Sequence, residues 1–143
     1  MFIRPKEDWI AILIVGFMAF LAAWCCDLAQ AAEIPQDKAV NAILGEALHD
    51  DDSMLVMAHA LRNRGHLGGV YGARVIRPYS DKLRAKALKA WKMSLSGDDP
   101  TRGADHWLSD YDLKHCRPER MAWRFKMVET LHQGQTHYFK GVK

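Results

Sequence analysis

The sequence predicts an α+β domain, mainly helical, with a small β-hairpin near its C-terminal end and an export or anchor segment in front of it. Three observations carry this expectation. Apolar residues recur at helical spacing in three stretches between 38 and 96, two alternating stretches flank Gly134, and no charge interrupts the run between Asp8 and Asp27. Apolar residues make up 49% of the chain and charged ones 26%, a balance that folds rather than stays disordered. The 143 residues suit one domain of ordinary size. No period of about 20–50 residues repeats, which excludes a solenoid.

Arg4 and Lys6 precede the apolar run from Trp9 to Cys26, and Ala29-Gln30-Ala31 follows it. A basic start, an apolar stretch and a small-x-small site are the parts of a secretory signal. The run holds 18 residues, just short of the roughly 20 that span a bilayer. A retained membrane tether through residues 9–26 therefore stands beside cleavage. On either reading 1–31 is a signal peptide or signal anchor and 32–143 is the functional domain, exported to the periplasm or cell envelope. A buried core helix is the plain alternative, but a helix apolar on every face is rare in so small a domain. Removal of 1–31 leaves Cys116 without Cys25 and Cys26. No internal disulfide is then expected, and the core must hold the fold alone. A retained anchor would let Cys116 pair with Cys25 or Cys26; a plain buried thiol is the simpler reading.

Within the domain, Asp37 can cap a helix over 38–48, whose face is Ala39, Val40, Ile43, Leu44 and Ala47. His49-Asp50-Asp51-Asp52 is a polar break, read as a solvated hairpin loop. Ser53 can cap a second helix over 53–64, with Met54, Met57, Ala58 and Leu61 on one face and Gly65 as its left-handed stop. The short connection makes the two helices a hairpin. Residues 65–80 hold Gly65, Gly68, Gly69, Gly72 and Pro78, a long loop. It follows no strand and lacks a Lys-Ser/Thr ending, which excludes a phosphate loop. Asp81 can cap a third helix over 81–96, with Leu83, Ala87, Leu88, Trp91 and Leu95 inward. Its lysines read as a solvated face, or as a contact for anionic wall polymer or phospholipid. Pro118 opens a turn or short helix carrying Trp123, and 125–131 with 136–140 form the hairpin.

Net charge is +3, and +4 once 1–31 is set aside. A modestly basic surface suits an acidic polymer of any kind and decides little alone. The seven histidines include no His-Glu-x-x-His and no paired ligand spacing. His132 and His137 flank the hairpin turn and can meet, but a metal would need a third ligand from elsewhere. No metal and no cofactor is expected.

Glycoside cleavage needs a proton delivered to the leaving oxygen, which a partly buried carboxylic acid can do. Glu46 sits at the end of an apolar helix between Gly45 and Ala47, small neighbours expected to leave room for a substrate. On position alone a surface role is the commoner one for such a residue. The stretch Ala42-Ile43-Leu44-Gly45-Glu46-Ala47, then Met54 through Arg62-Asn63-Arg64-Gly65, then Gly103-Ala104-Asp105-His106-Trp107, and finally His137-Tyr138-Phe139, resembles the SleB-like cell wall hydrolase family. The resemblance runs over about residues 39–140. It implies a compact lysozyme-like fold, Glu46 as the catalytic acid/base, and the β-1,4 bond between N-acetylmuramic acid and N-acetylglucosamine as the target. No peptidoglycan-binding repeat is visible among these residues, so the wall is expected to be reached through the cleft, the charge or the tether.

Paired-carboxylate hydrolysis needs a second acid about 5–9.5 Å away; Asp50, Asp51, Asp52, Asp105 and Asp110 are candidates and spacing singles out none. One Glu suffices if the muramic 6-hydroxyl attacks in place of water, the lytic transglycosylase route that the resemblance favours over simple hydrolysis. Asn63 can bind an acetamido group, orient Glu46, or cap its helix. His106 and Trp107 can line a sugar cleft, with Trp107 in the core as the plain alternative; Tyr138 and Tyr111 are weaker candidates. The expected partner is peptidoglycan, not nucleic acid, and a monomer is expected. Two other functions remain: a zinc-dependent peptidoglycan amidase or peptidase, which EDTA would silence, and a non-enzymatic membrane-tethered wall-interaction module, which Glu46→Gln would leave working.

Overall fold

The computed structural model describes residues 34–75 and 77–141. The expected signal or anchor, with Cys25 and Cys26, lies outside the described residues. In chain order the elements are α1 (Gln36–Glu46), α2 (Asp51–Arg64), α3 (Asp81–Met93), β1 (His106–Ser109), α4 (Asp110–His115), a 3-10 segment (Pro118–Lys126), β2 (Met127–Gln133) and β3 (Thr136–Gly141). Among the described residues no helix is long and apolar enough to cross a membrane.

The three expected long helices are present, with different caps. Helix α1 starts at Gln36 behind Pro35, and Asp37 lies in its first turn rather than at the cap. There its charge faces the positive helix end. The helix stops at Glu46 because Ala47 turns extended, and the His49 ring nitrogen Nε2 reaches the orphan Leu44 carbonyl at 3.0 Å. Asp50, not Ser53, caps α2: its carboxylate accepts the Ser53 N–H at 2.8 Å. The acidic stretch read as a loop thus begins a helix, with Asp51 and Asp52 in its first turn. Gly65 closes α2 at φ 72°, the left-handed stop that the sequence called for. Ser80 rather than Asp81 caps α3, which ends at Met93. Leu95, expected on its inner face, lies past that end and is exposed.

The three helices pack on one another through Ile43, Leu44, Met54, Met57, Leu61, Ala87 and Trp91, all buried. Arg62 fastens α2 to α3. Its guanidinium lies 3.7 Å over the Trp91 ring and donates to Ser94 Oγ at 2.7 Å and to the Trp91 carbonyl at 2.9 Å.

The expected hairpin is β2–β3, joined by Gly134-Gln135 with Gly134 at φ 58°, as a two-residue turn with a leading glycine requires. A third strand, β1, makes it an antiparallel sheet of order β1-β3-β2. Pairing of Trp107 with Tyr138 puts both on the face toward the helical core, since neighbours across a ladder share a face. His106 and Phe139 fall on the opposite face, under Trp123 of the 3-10 segment. The β2 register slips between Glu129 and Leu131. Thr130, displaced there, donates its hydroxyl to the Thr101 carbonyl at 2.7 Å, tying the sheet to the loop after α3.

Candidate active site

Glu46 is half-buried at the last residue of α1. The glycine-rich loop crosses α1 at that point. A side chain on Gly72 would stand 2.7 Å from the Ala42 carbonyl oxygen and 2.8 Å from Gly45 Cα, so the backbones touch because both residues lack Cβ. Gly45 therefore does not leave room for a substrate, as its small size had suggested; the loop backbone fills that room. The close approach has a chemical consequence: the Gly72 N–H donates to Glu46 Oε1 at 2.6 Å. From the sheet, Trp107 donates its indole N–H to Glu46 Oε2 at 3.0 Å. Each carboxylate oxygen is thus fixed by one N–H donor, and each keeps a second lone pair.

The carboxyl lies in a cleft of about 600 Å³, within the usual range for a ligand site. Helix α2 supplies Arg64 to its wall, the glycine-rich loop Val70 and Tyr71, strand β1 His106 and Trp107, and the segment after it Asp112, Cys116, Arg120 and Trp123. Tyr71 is 62% exposed, an aromatic face open to solvent at the rim. Arg64 donates to the Asp105 carbonyl at 3.1 Å and the Gly68 carbonyl at 2.6 Å, and its guanidinium sits 5.5 Å from the Trp107 ring centroid. Burial pushes its pKa below the ordinary arginine value, while the charges of Asp105 and Glu46 act the other way. It remains a cation beside the carboxylate. His106 is held by its Nδ1 contact to Asp105 Oδ1 at 2.8 Å and by a tilted stack on Trp123 at 4.8 Å.

Of the residues expected in the site, Glu46, His106 and Trp107 come together. Trp107 is only half-buried and serves the carboxylate directly. Asn63 and Tyr138 are placed elsewhere. The Asn63 amide faces the loop after α3, donating to Asp99 Oδ2 at 2.9 Å, Thr101 Oγ1 at 3.1 Å and the Ala104 carbonyl at 3.0 Å. It neither orients Glu46 nor caps α2; it organises the turn that leads into β1. Asp99 is the hub of that turn. Burial would raise its pKa, but hydrogen bonds from Thr101, Asn63 and Gly103 outweigh this and hold it below the ordinary aspartate value. Tyr138 is in the core beneath the helices, where burial pushes its phenol well above the ordinary tyrosine range.

None of the candidate second carboxylates lines the cleft itself. Asp50 caps α2, Asp51 pairs with Lys86 at 2.7 Å, Asp105 holds His106, and Asp110 meets His137 at 2.8 Å. Asp52 lies with Asp51 in a small hollow between α2 and α3. The sequence reading missed Asp112, which does line the cleft. Its Oδ2 is engaged by the Ser109 N–H and hydroxyl in the capping box of α4, and its Oδ1 accepts from Cys116 Sγ. A capping box at Ser109-x-x-Asp112 was legible in principle, but not that it faced Glu46's cleft. Comparison of the chain with protein-family models, with curated proteins and with solved structures finds no match.

Proposed function

We propose that the protein is an exported enzyme that cuts the glycan strand of peptidoglycan at the N-acetylmuramic acid to N-acetylglucosamine β-1,4 bond, with Glu46 as its acid/base. The observation that carries the reading is a half-buried carboxyl, fixed by two N–H donors, in a cleft of about 600 Å³ edged by aromatic rings. Rings such as Tyr71, Trp107 and Trp123 suit the apolar faces of sugars. Arg64 and Arg120 suit a substrate that carries lactyl and peptide carboxylates. A helical core with a small antiparallel sheet, and the acid at a helix end facing a groove, agrees with the lysozyme-like architecture that the SleB-like resemblance implies. Export rests on the pattern of residues 1–31.

Asp112 is the other carboxylate in the cleft, and its oxygens are used for capping and for Cys116. With Asp112 held by the cap, a single acid/base at Glu46 favours the lytic transglycosylase route. Glu46 gives its proton to the glycosidic oxygen as the bond from the muramic anomeric carbon breaks. The muramic 6-hydroxyl then bonds to that carbon, and its proton returns to Glu46. The products are a 1,6-anhydromuramoyl end and a free sugar hydroxyl, and no water is consumed. Gly72 and Trp107 are positioning groups: they keep the carboxyl aimed while its proton leaves and returns.

The test is mass spectrometry of fragments from purified sacculi treated with the full chain. Anhydro ends are expected. Reducing ends would replace transglycosylation by hydrolysis, and free peptide amines would remove the glycosidase reading altogether.

A further inference from the structure

At the far end of the sheet the hairpin gathers a second group of side chains. The β2–β3 register sets His132 opposite His137, and their rings stack with centroids 3.9 Å apart at 12°. Asp110, the first residue of α4, is drawn over them by its backbone, whose N–H donates to the Gln135 carbonyl at 2.8 Å. Its Oδ1 lies 2.8 Å from His137 Nε2. One ligand atom from each of Asp110, His132 and His137 falls within 4.8 Å of the other two. On the other side of the His137 ring, Glu129 Oε1 lies 2.8 Å from Nδ1.

We propose that Asp110, His132 and His137 form a binding site for a divalent transition-metal ion of the zinc type, which clips the hairpin to the start of α4. Imidazole nitrogens with one carboxylate oxygen are a donor set for such ions; calcium and magnesium prefer oxygen alone. Around tetrahedral zinc, bonds of about 2.0–2.2 Å place ligand atoms roughly 3.3 Å apart. The present separations run from 2.8 Å to at most 4.8 Å and bracket that value; the exposed His132 ring must turn out of its stack on His137 for both nitrogen lone pairs to point at one ion. Glu129 supplies the feature that a simple cluster lacks. A carboxylate on Nδ1 fixes the ring and leaves Nε2 as the ligand atom, the usual support of a metal-bound histidine. Asp110 is 43% exposed at its side chain and His132 is exposed, which leaves a fourth position for water.

Without the ion, each ring nitrogen of His137 faces one carboxylate oxygen at 2.8 Å. The metal takes the place that a proton would hold between Nε2 and Asp110. Asp110, His132 and His137 do not line the Glu46 cleft, and the inference does not depend on the glycosidase reading.

The probe is Zn²⁺ titrated calorimetrically into the EDTA-stripped full chain at neutral pH, in two buffers of different ionisation enthalpy. Saturable binding of one equivalent is expected in both buffers. Glu129→Gln is expected to weaken binding by about 10-fold or more. His132→Ala, at an exposed position that the fold tolerates, is expected to weaken it by at least ~100-fold, with Asp110→Asn as a second variant. Co²⁺ in place of zinc should give the visible absorption of a four-coordinate site. Absence of saturable binding would mean that His137 merely bridges two carboxylates by protons. Binding that survives both His132→Ala and Asp110→Asn would place the ion elsewhere. Either result overturns the proposal.

Discussion

Gly72→Ala is the substitution through which the loop, the helix and the carboxyl can be tested together. The added methyl would stand 2.7 Å from the Ala42 carbonyl oxygen and 2.8–2.9 Å from the Gly45 backbone. Every obstructing atom is helix backbone, which cannot rotate away. Reaching an ordinary 3.4 Å contact needs a retreat of about 0.7 Å by the loop. That retreat stretches the 2.6 Å bond from Gly72 N–H to Glu46 to about 3.3 Å. Overpacking of this kind costs roughly 1–3 kcal/mol, and weakening a hydrogen bond to a charged group adds part of another ~1.5–3 kcal/mol. The expected loss is about 2–5 kcal/mol, or roughly 8–20 °C in Tm for a domain of this size. Urea unfolding followed by tryptophan fluorescence measures it. Gly141→Ala, where a methyl meets nothing within 4 Å, is the control and should stay within about 0.5 kcal/mol of the parent. Where both proteins are folded, wall lysis by Gly72→Ala should fall by ~10-fold or more, because a displaced acid misses its target oxygen. A Gly72→Ala protein as stable and active as the Gly141→Ala control would refute the close crossing of loop and helix, and the aiming of Glu46 with it.

Trp107→Phe keeps a ring in the cleft but removes the donor to Glu46 Oε2. Lysis should drop ~10–100-fold, in line with about 1.5–3 kcal/mol for that bond, with a smaller change in Tm than for Gly72→Ala; an unchanged rate would separate the indole from the acid's task. Asn63→Ala strips three contacts from the turn around Asp99 and should cost about 1–3 kcal/mol in urea unfolding while leaving KM for soluble wall fragments unaltered. A raised KM at unchanged stability would return Asn63 to the sugar site. Burial opposes charge on His137, but hydrogen bonds from its ring to Glu129 and Asp110 prevail and raise its pKa above the ordinary 6.5. In the metal-free chain its contribution to stability is therefore complete below about pH 6.5 and is lost as pH climbs through the raised value. NMR titration of the imidazole and unfolding curves above and below that window check it, and His137→Gln should flatten the slope.

What the sequence disclosed follows from the range of the interactions involved. Ile43, Leu44, Met54, Met57 and Leu61 mark their helices because helical spacing is local, and Gly65 and Gly134 mark their turns because left-handed backbone favours glycine. The caps were misplaced by one to three residues, since Asp50 and Ser53, or Ser80 and Asp81, offer equivalent oxygens and only geometry chooses between them. Strand β1 was illegible: four half-buried residues carry no alternation, and pairing of Trp107 with Tyr138 spans the sequence. For the site, Glu46 stood out through resemblance rather than position. Trp107 stood out as a cleft residue but not as the acid's donor, and Gly72 not at all, because one bond comes from a side chain 61 residues away and the other from a backbone N–H. Tyr138, a weaker aromatic candidate for the cleft, shares the inward sheet face with Trp107 but is buried in the core under the helices. His132 and His137 were legible as a hairpin pair; Asp110 joins them only through the pairing of β1 with β3.

The most direct measurement compares sacculus lysis by the full chain carrying Glu46→Gln with lysis by the parent and by Asp112→Asn. Glutamine preserves the size and one of the two acceptor oxygens but cannot pass a proton, so the rate should fall by ~10²–10⁴-fold, while the N–H of Gly72 or Trp107 that faces its NH2 loses an acceptor and about 1–3 kcal/mol of stability goes with it. Asp112→Asn, a cap, should lose about 0.5–2 kcal/mol of stability and keep its activity within an order of magnitude. Lysis by Glu46→Gln at more than a tenth of the parent rate would contradict the assignment, because the cleft would then be working without its acid.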